Sequence, residues 1–240
     1  MKEMKNAFPP RAAAVRRSAG RLLRQARTAA LDILYPETAL CAGCGKISDA
    51  GTLCSRCRDE LRNQGILSHW QYTDLSGLPA YSLRAHEGVA RRLVIRLKHQ
   101  AEKRIAEELA DLLLPLPTGL SFSPETVVTW VPMPTGRLRE RCIDHSRLLA
   151  EAMAARLGLS CRPLLSRRET GEKTQARLNR RQREGNLKQA FFPRENMPFS
   201  VLLIDDVLTT GTTARRCSEA LRAGGAEIIT VLTVTRSLKE

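Results

Sequence analysis

The chain has 240 residues, of which 42% are hydrophobic, 4% aromatic and 27% charged, enough for one medium α/β domain and a small accessory module. Its apolar runs are broken by charge or proline well short of the roughly 20 residues that cross a bilayer, and so few aromatics leave no array of base-stacking platforms for single strands. A net charge of +14 and a pI near 10.1 point to polyanionic partners, pyrophosphate and nucleic acid among them.

That charge is unevenly placed. Residues 1–30 hold eight Lys/Arg against one Glu, and residues 162–184 hold eight against three. Residues 1–35 form the first unit, in which 12–34 read as a basic helix. Its apolar positions are Val15, Ala19, Leu22, Leu23, Ala26, Ala30, Ile33 and Leu34, a spacing that suits docking onto the body of the protein. The segment is Arg-rich as transit peptides are, yet it lacks the continuous apolar core of a secretory signal. The expectation is a cytoplasmic protein.

Residues 36–61 contain two C-x-x-C knuckles, Cys41-Ala-Gly-Cys44 and Cys54-Ser-Arg-Cys57. Each knuckle points two sulfurs to one side, and two knuckles complete a tetrahedral thiolate set. Gly43 and Gly45 relieve the backbone where it must turn tightly. Zinc is the expected ion, in a closed structural site, with an iron–sulfur centre next. Two disulfides or a redox pair are the competing readings; a reducing cytosol opposes the first, and a redox pair has no use for the second knuckle. Cys142, Cys161 and Cys217 read as ordinary small apolar residues.

Residues 62–77, with Gly65, Ser68, Asp74 and Gly77, read as a linker. From 78 to 240 strand and helix patterns alternate. Strands are expected at 78–83, 127–131, 201–204 and 228–234, and helices at 88–98, 102–114, 143–157 and 213–223. Residues 163–185 are charge-dense and suit an exposed arm. Alternation of this kind implies a mainly parallel sheet, with ligands outside the carboxyl ends of its strands.

The stretch 201–213 reads Val-Leu-Leu-Ile-Asp-Asp-Val-Leu-Thr-Thr-Gly-Thr-Thr. An apolar strand leads into two carboxylates, Asp205 and Asp206, and a hydroxyl-rich turn leads into a helix. Gly211 allows close approach or a positive φ. Backbone N–H groups at the helix start, with Thr209, Thr210, Thr212 and Thr213, make a phosphate cradle. The adjacent carboxylates suit a sugar diol. The plainer alternative is a buried strand, a Thr-rich turn and a helix cap with no ligand.

This stretch resembles the phosphoribosyl-pyrophosphate (PRPP) motif of the type I phosphoribosyltransferases. With the cysteine knuckles ahead of it, the chain is similar to the ComF family, which includes competence-associated DNA-uptake proteins and relatives named for gluconate utilisation. Other segments that carry the resemblance are Arg92-Leu93-Val94-Ile95-Arg96-Leu97-Lys98, Val131-Pro132-Met133-Pro134 with Arg137 and Arg141, and Leu165-Ser166-Arg167 followed by Thr174-Gln175, Leu178, Arg183, Asn186 and Phe191. One departure is Cys142-Ile143-Asp144-His145, where the family usually carries Gly-Phe-Asn-Gln. His145 there is either a substitute hydrogen-bonding group or a polar residue at a helix start.

The resemblance implies a type I phosphoribosyltransferase-like α/β fold, a mainly parallel twisted sheet flanked by helices with the four-cysteine module attached. It implies that Asp205 and Asp206 hold the ribose hydroxyls at the catalytic centre and that Thr209, Thr210, Gly211, Thr212 and Thr213 bind the 5-phosphate. Mg²⁺ would accompany PRPP, with Lys98, Arg137 and Arg141 neutralising the pyrophosphate. Arg167, Arg168, Lys173 and Gln175 would be contacts of an arm that closes over it. Two functions stay open: glycosyl transfer to an acceptor the sequence does not name, or a non-enzymatic protein that senses PRPP or handles single-stranded DNA beside an uptake helicase or other competence proteins.

Overall fold

The structure is a computed structural model; it describes residues 40–48, 51–63, 70–100, 102–134, 136, 143–168, 190–194 and 196–237. The basic helix read at 12–34, Cys142, and most of the charged arm lie outside these residues. Among the described residues no helix is long and apolar enough to cross a membrane.

The cysteine segment is a tight turn closed by a bridge between Leu40 and Ile47, followed by α1 (Ser55–Asn63). Then come β1 (Gln71–Asp74), β2 (Pro79–Ala85), α2 (Gly88–Gln100), α3 (Lys103–Leu112), β3 (Val127–Trp130), α4 (His145–Leu157), β4 (Ser160–Cys161), β5 (Leu165–Arg167), β6 (Phe191–Pro193), β7 (Ser200–Leu208), α5 (Thr212–Ala223) and β8 (Ile228–Arg236). One sheet has the order β1-β2-β8-β7-β3-β4. All its pairs are parallel except the hairpin of β1 and β2 at one edge. Strands β5 and β6 form a separate antiparallel pair.

Both faces of the sheet are covered, as parallel strands require. Leu202 and Ile204 of β7, Leu232 and Val234 of β8, and Val128 of β3 face α2, α3, α4 and the cysteine module. Val201 and Leu203, Val231, and Val127 face α5 and the β5–β6 pair. The period of two along β7 therefore sends Asp206 toward α2 and α4, and Asp205 toward α5.

The helices explain themselves locally. In α3, Ile105, Ala106, Leu109 and Ala110 make one buried stripe. Asp144 caps α4 by accepting from the backbone N–H groups of Ser146 and Arg147, and Gly158 ends that helix at φ 67°.

Three expectations change. The linker expected at 62–77 is not all connector, because Gln71–Asp74 pairs with β2 as the edge strand. It alternates partly buried and exposed residues with no apolar run, and the Gly, Ser and Asp residues around it masked the pattern. The central strand does not stop at Ile204: it continues through both acids to Leu208, still paired with β8 at Leu208 and Arg236. Its other neighbour, β3, ends at Trp130 opposite Ile204, so the acids lie beyond the sheet on that side only. Arg167, read as part of the mobile arm, sits in β5 opposite Phe191.

Candidate functional site

At the carboxyl ends of β3 and β7 lies a cavity of about 390 Å³ whose wall includes Asp205, Asp206, Lys98, His145, Arg167 and Thr213, with Pro132-Met133-Pro134 after β3. Lys98 arrives in the last turn of α2, where a cation is favoured by the helix dipole. His145 is the first residue of α4. Arg167 lies with its guanidinium 5.1 Å from the ring centre of Phe191.

Asp206 is 5% exposed and is held from two sides. Lys98 Nζ is 3.1 Å from Oδ1 and His145 Nε2 is 2.9 Å from Oδ2. Oδ2 makes no aligned hydrogen bond among the described residues, so the imidazole acts on it electrostatically. Burial pushes the Asp206 carboxyl up, but His145 and Lys98 together outweigh it and hold the group below its ordinary range. Among the described residues Asp205 has no such ion pair; its Oδ1 accepts the N–H of Asp206 at 2.9 Å. Burial, and then the neighbouring Asp206 charge, raise it to about 8. Adjacent acids thus hold opposite protonation tendencies, one a fixed anion and the other a group ready to give up a proton when a cation arrives.

The residues of the hydroxyl loop diverge. Gly211 is buried at φ 72° just before α5. A Cβ there would lie 2.5 Å from Leu75 Cδ2, in the β1–β2 turn. Thr213 lines the acid cavity, whereas Thr212 faces a different one. Thr209 and Thr210 are exposed at the tip, with Thr210 Oγ1 3.0 Å from Thr212 Oγ1. Gly211→Ala is expected to destabilise the chain by about 1–2 kcal/mol through the left-handed backbone and the displaced Leu75. That should lower the thermal midpoint by roughly 4 °C; an unchanged midpoint would contradict the packing of this loop.

Of the residues expected from sequence, Lys98, Arg167, Asp205, Asp206 and Thr213 come together around one cavity. Arg168 does not join that wall; its guanidinium stacks 4.6 Å from the ring centre of Phe192. Arg137, Arg141, Lys173 and Gln175 lie outside the described residues. His145 enters the site despite its modest standing in the sequence. His86, just past the end of β2, has Nδ1 2.8 Å from Thr235 Oγ1; burial, then Lys98 and Arg91, lower its basicity. The signal for His86 was its place just past a parallel strand, the end at which ligands bind; His145 offered only its place at a helix start.

The cysteine cluster is a second centre. The sulfurs of Cys41, Cys44, Cys54 and Cys57 all lie within 4.8 Å of one another, and Cys44 Sγ is 3.8 Å from Cys54 Sγ. A tetrahedral four-thiolate ion with bonds of about 2.3 Å sets its sulfurs roughly 3.8 Å apart, so the donor set fits a metal. Cys41 Sγ accepts N–H groups of Gly43 and Cys54, each at 3.3 Å. Burial raises this thiol, but the N–H donors outweigh it and bring it to about 6. Gly43 is required by crowding, because a Cβ there would be 2.8 Å from Cys57 Sγ.

The module is bolted to α2. Arg92 Nε donates to Gly43 O at 2.6 Å, Arg96 Nη1 donates to Cys41 O at 2.9 Å, and Glu60 of α1 accepts the Val89 N–H at 3.1 Å. The far end of that same helix carries Lys98.

No protein-family model matches the chain. Among solved structures it is similar to adenine phosphoribosyltransferase from Leishmania donovani (15% identity, 69% of this chain and 86% of that one, TM-score 0.39) and to orotate phosphoribosyltransferase from Aeropyrum pernix (20%, 74% and 80%, TM-score 0.36). It is 28% identical over 220 residues to competence protein F of Haemophilus influenzae, covering 84% of this chain and 92% of that protein. It is 31% identical over 213 residues to the DNA utilization protein YhgH of Salmonella typhi, covering 84% and 86%. Relatedness at that level over most of both chains makes this chain a member of the ComF family.

Proposed function

We propose that the chain binds PRPP with Mg²⁺ in the cavity of Asp205 and Asp206, and transfers its phosphoribosyl group in the service of DNA uptake. The observation that carries this reading is the convergence of two acids, the cations Lys98 and Arg167, and Thr213 of the helix start on one cavity. The acids accept hydrogen bonds from the ribose diol, and the N–H groups and hydroxyls of the loop take the 5-phosphate. Mg²⁺ bound with the pyrophosphate supplies charge neutralisation by oxygen ligation. Lys98 and Arg167 are fixed cations on the side where the leaving pyrophosphate gathers charge, and Pro132-Met133-Pro134 shapes the rim there. The DNA-uptake context rests on the names of the relatives, DNA utilization protein and competence protein F. Zinc in the four-cysteine site is the companion proposal, as a structural ion.

The test is Mg²⁺-dependent consumption of PRPP, screened against nucleobases, nucleosides and single-stranded DNA. Pyrophosphate release that depends on one acceptor class supports the transferase. The relatives' names, DNA utilization protein and competence protein F, keep a second reading open in which the chain senses PRPP and handles single-stranded DNA without turnover. PRPP binding without turnover, together with DNA affinity that falls steeply with salt, supports that second reading.

A further inference from the structure

A second cavity, of about 330 Å³, shares no lining residue with the acid cavity. It lies between one face of α5 and the turn that joins β1 to β2. Thr212, Arg215, Arg216, Glu219 and Arg222 recur at helical spacing along that face. The turn opposite is held by Asp74 Oδ1, which accepts the Gly77 N–H at 2.6 Å, and it presents Ser76 at φ 62°, a backbone state that non-glycine residues seldom adopt. Arg222 Nη2 donates to Gly77 O at 3.3 Å and ties the helix to the turn.

Two independent observations give this cavity a ligand chemistry. Its wall carries three guanidinium groups against one carboxylate, and that carboxylate, Glu219, is already paired with Arg216 at 2.6 Å. At the cavity floor Ser218 is 3% exposed and its Oγ has no hydrogen-bond partner. A buried hydroxyl without a partner is costly unless something arrives to satisfy it. Guanidinium forks with hydroxyl donors match the oxygens of a phosphate group, and the volume is at the small end of ligand cavities.

We infer that this cavity is a binding site for a small phosphate-bearing anion, separate from the acid cavity. The phosphate sits between Arg215 and Arg222, with Ser218 and Ser76 as hydroxyl donors. Because Leu75 of the same turn packs on Gly211, an occupant touches the back of the threonine loop.

The experiment is calorimetric titration of the full chain, in phosphate-free buffer, with orthophosphate and separately with adenosine monophosphate. Arg215→Ala/Arg222→Ala is expected to weaken both about tenfold or more, the loss typical of removing bidentate partners. Glu219→Gln is expected to strengthen both severalfold, because it removes the competing carboxylate. A much tighter fit for the nucleotide identifies a nucleotide phosphate as the occupant, and equal binding identifies free phosphate. Asp205→Asn/Asp206→Asn should leave this binding intact, so the outcome is independent of the PRPP reading. Identical titrations for the parent and the double arginine variant would overturn the proposal. So would binding confined to a ten-base oligonucleotide, which would make the arginines an open polyanion face.

Discussion

At pH 8.5 the variant Asp205→Asn is expected to melt higher than the parent chain, while its affinity for Mg–PRPP falls by at least about a hundredfold, the loss expected when charged hydrogen-bond acceptors are removed from a site. The cause is the elevated Asp205 carboxyl, raised to about 8 by burial and by Asp206. An unfolded aspartate titrates near 3.9. The folded chain therefore holds this proton more tightly than the unfolded chain. Stability then declines as pH rises from about 4 through 8. A shift of that size corresponds to at most about 6 kcal/mol, and the expected gain is on the order of a few kcal/mol. Asparagine removes the penalty, so the gain should be large at pH 8.5 and vanish near pH 4.5. Asp206→Asn has the opposite sign. Its carboxyl is held low by His145 and Lys98, so its contribution is present above the unfolded value and is lost as pH falls through the folded one. That variant should destabilise the chain at neutral pH and leave Lys98 without its buried partner. Thermal melts of both single variants at the two pH values check this pair of signs; equal shifts in the same direction would contradict the assigned electrostatics.

Removal of the metal is expected to have the second large effect. The protein should carry about one zinc per chain. Structural zinc supplies on the order of 10 kcal/mol of folding free energy to small modules at neutral pH. Here the module does not stand alone: Cys41, Ala42, Leu53, Cys57 and Leu61 share one core with Val89, Ala90, Leu93, Val94 and Leu97 of α2. Chelation, or Cys57→Ser, should therefore expose residues 40–63 and also loosen α2. Because Lys98 lies in the last turn of that helix and pairs with Asp206, PRPP affinity should fall by roughly tenfold or more, as for a charged partner released from a site. Hydrogen exchange across 88–98 with and without chelator reads the coupling directly. Protection there that ignores the metal would sever the cysteine centre from the acid cavity.

Much of this was legible from residues alone. The knuckle spacing announced four sulfurs that could meet, and they do. The alternation of apolar strands and amphipathic helices announced the mainly parallel sheet. What eluded the pattern has physical reasons. The reach of β7 through Asp205 and Asp206 is set by its partner β8, which runs on to Arg236, and no local hydrophobic pattern records a neighbour's length. Edge strand β1 exposes Tyr72 at 58%, so its residues look like a loop until Tyr81 is seen opposite. His145 gives no spacing cue to Asp206, because 61 positions of chain separate two residues that the fold brings to 2.9 Å.

The central claim is that the acid cavity holds PRPP. Titration of Mg–PRPP into the intact protein and into Asp205→Asn/Asp206→Asn tests it most directly. Saturable binding near one equivalent in the first, and none in a correctly folded second, is the predicted result. Equal binding in both, or no binding in either, would contradict it.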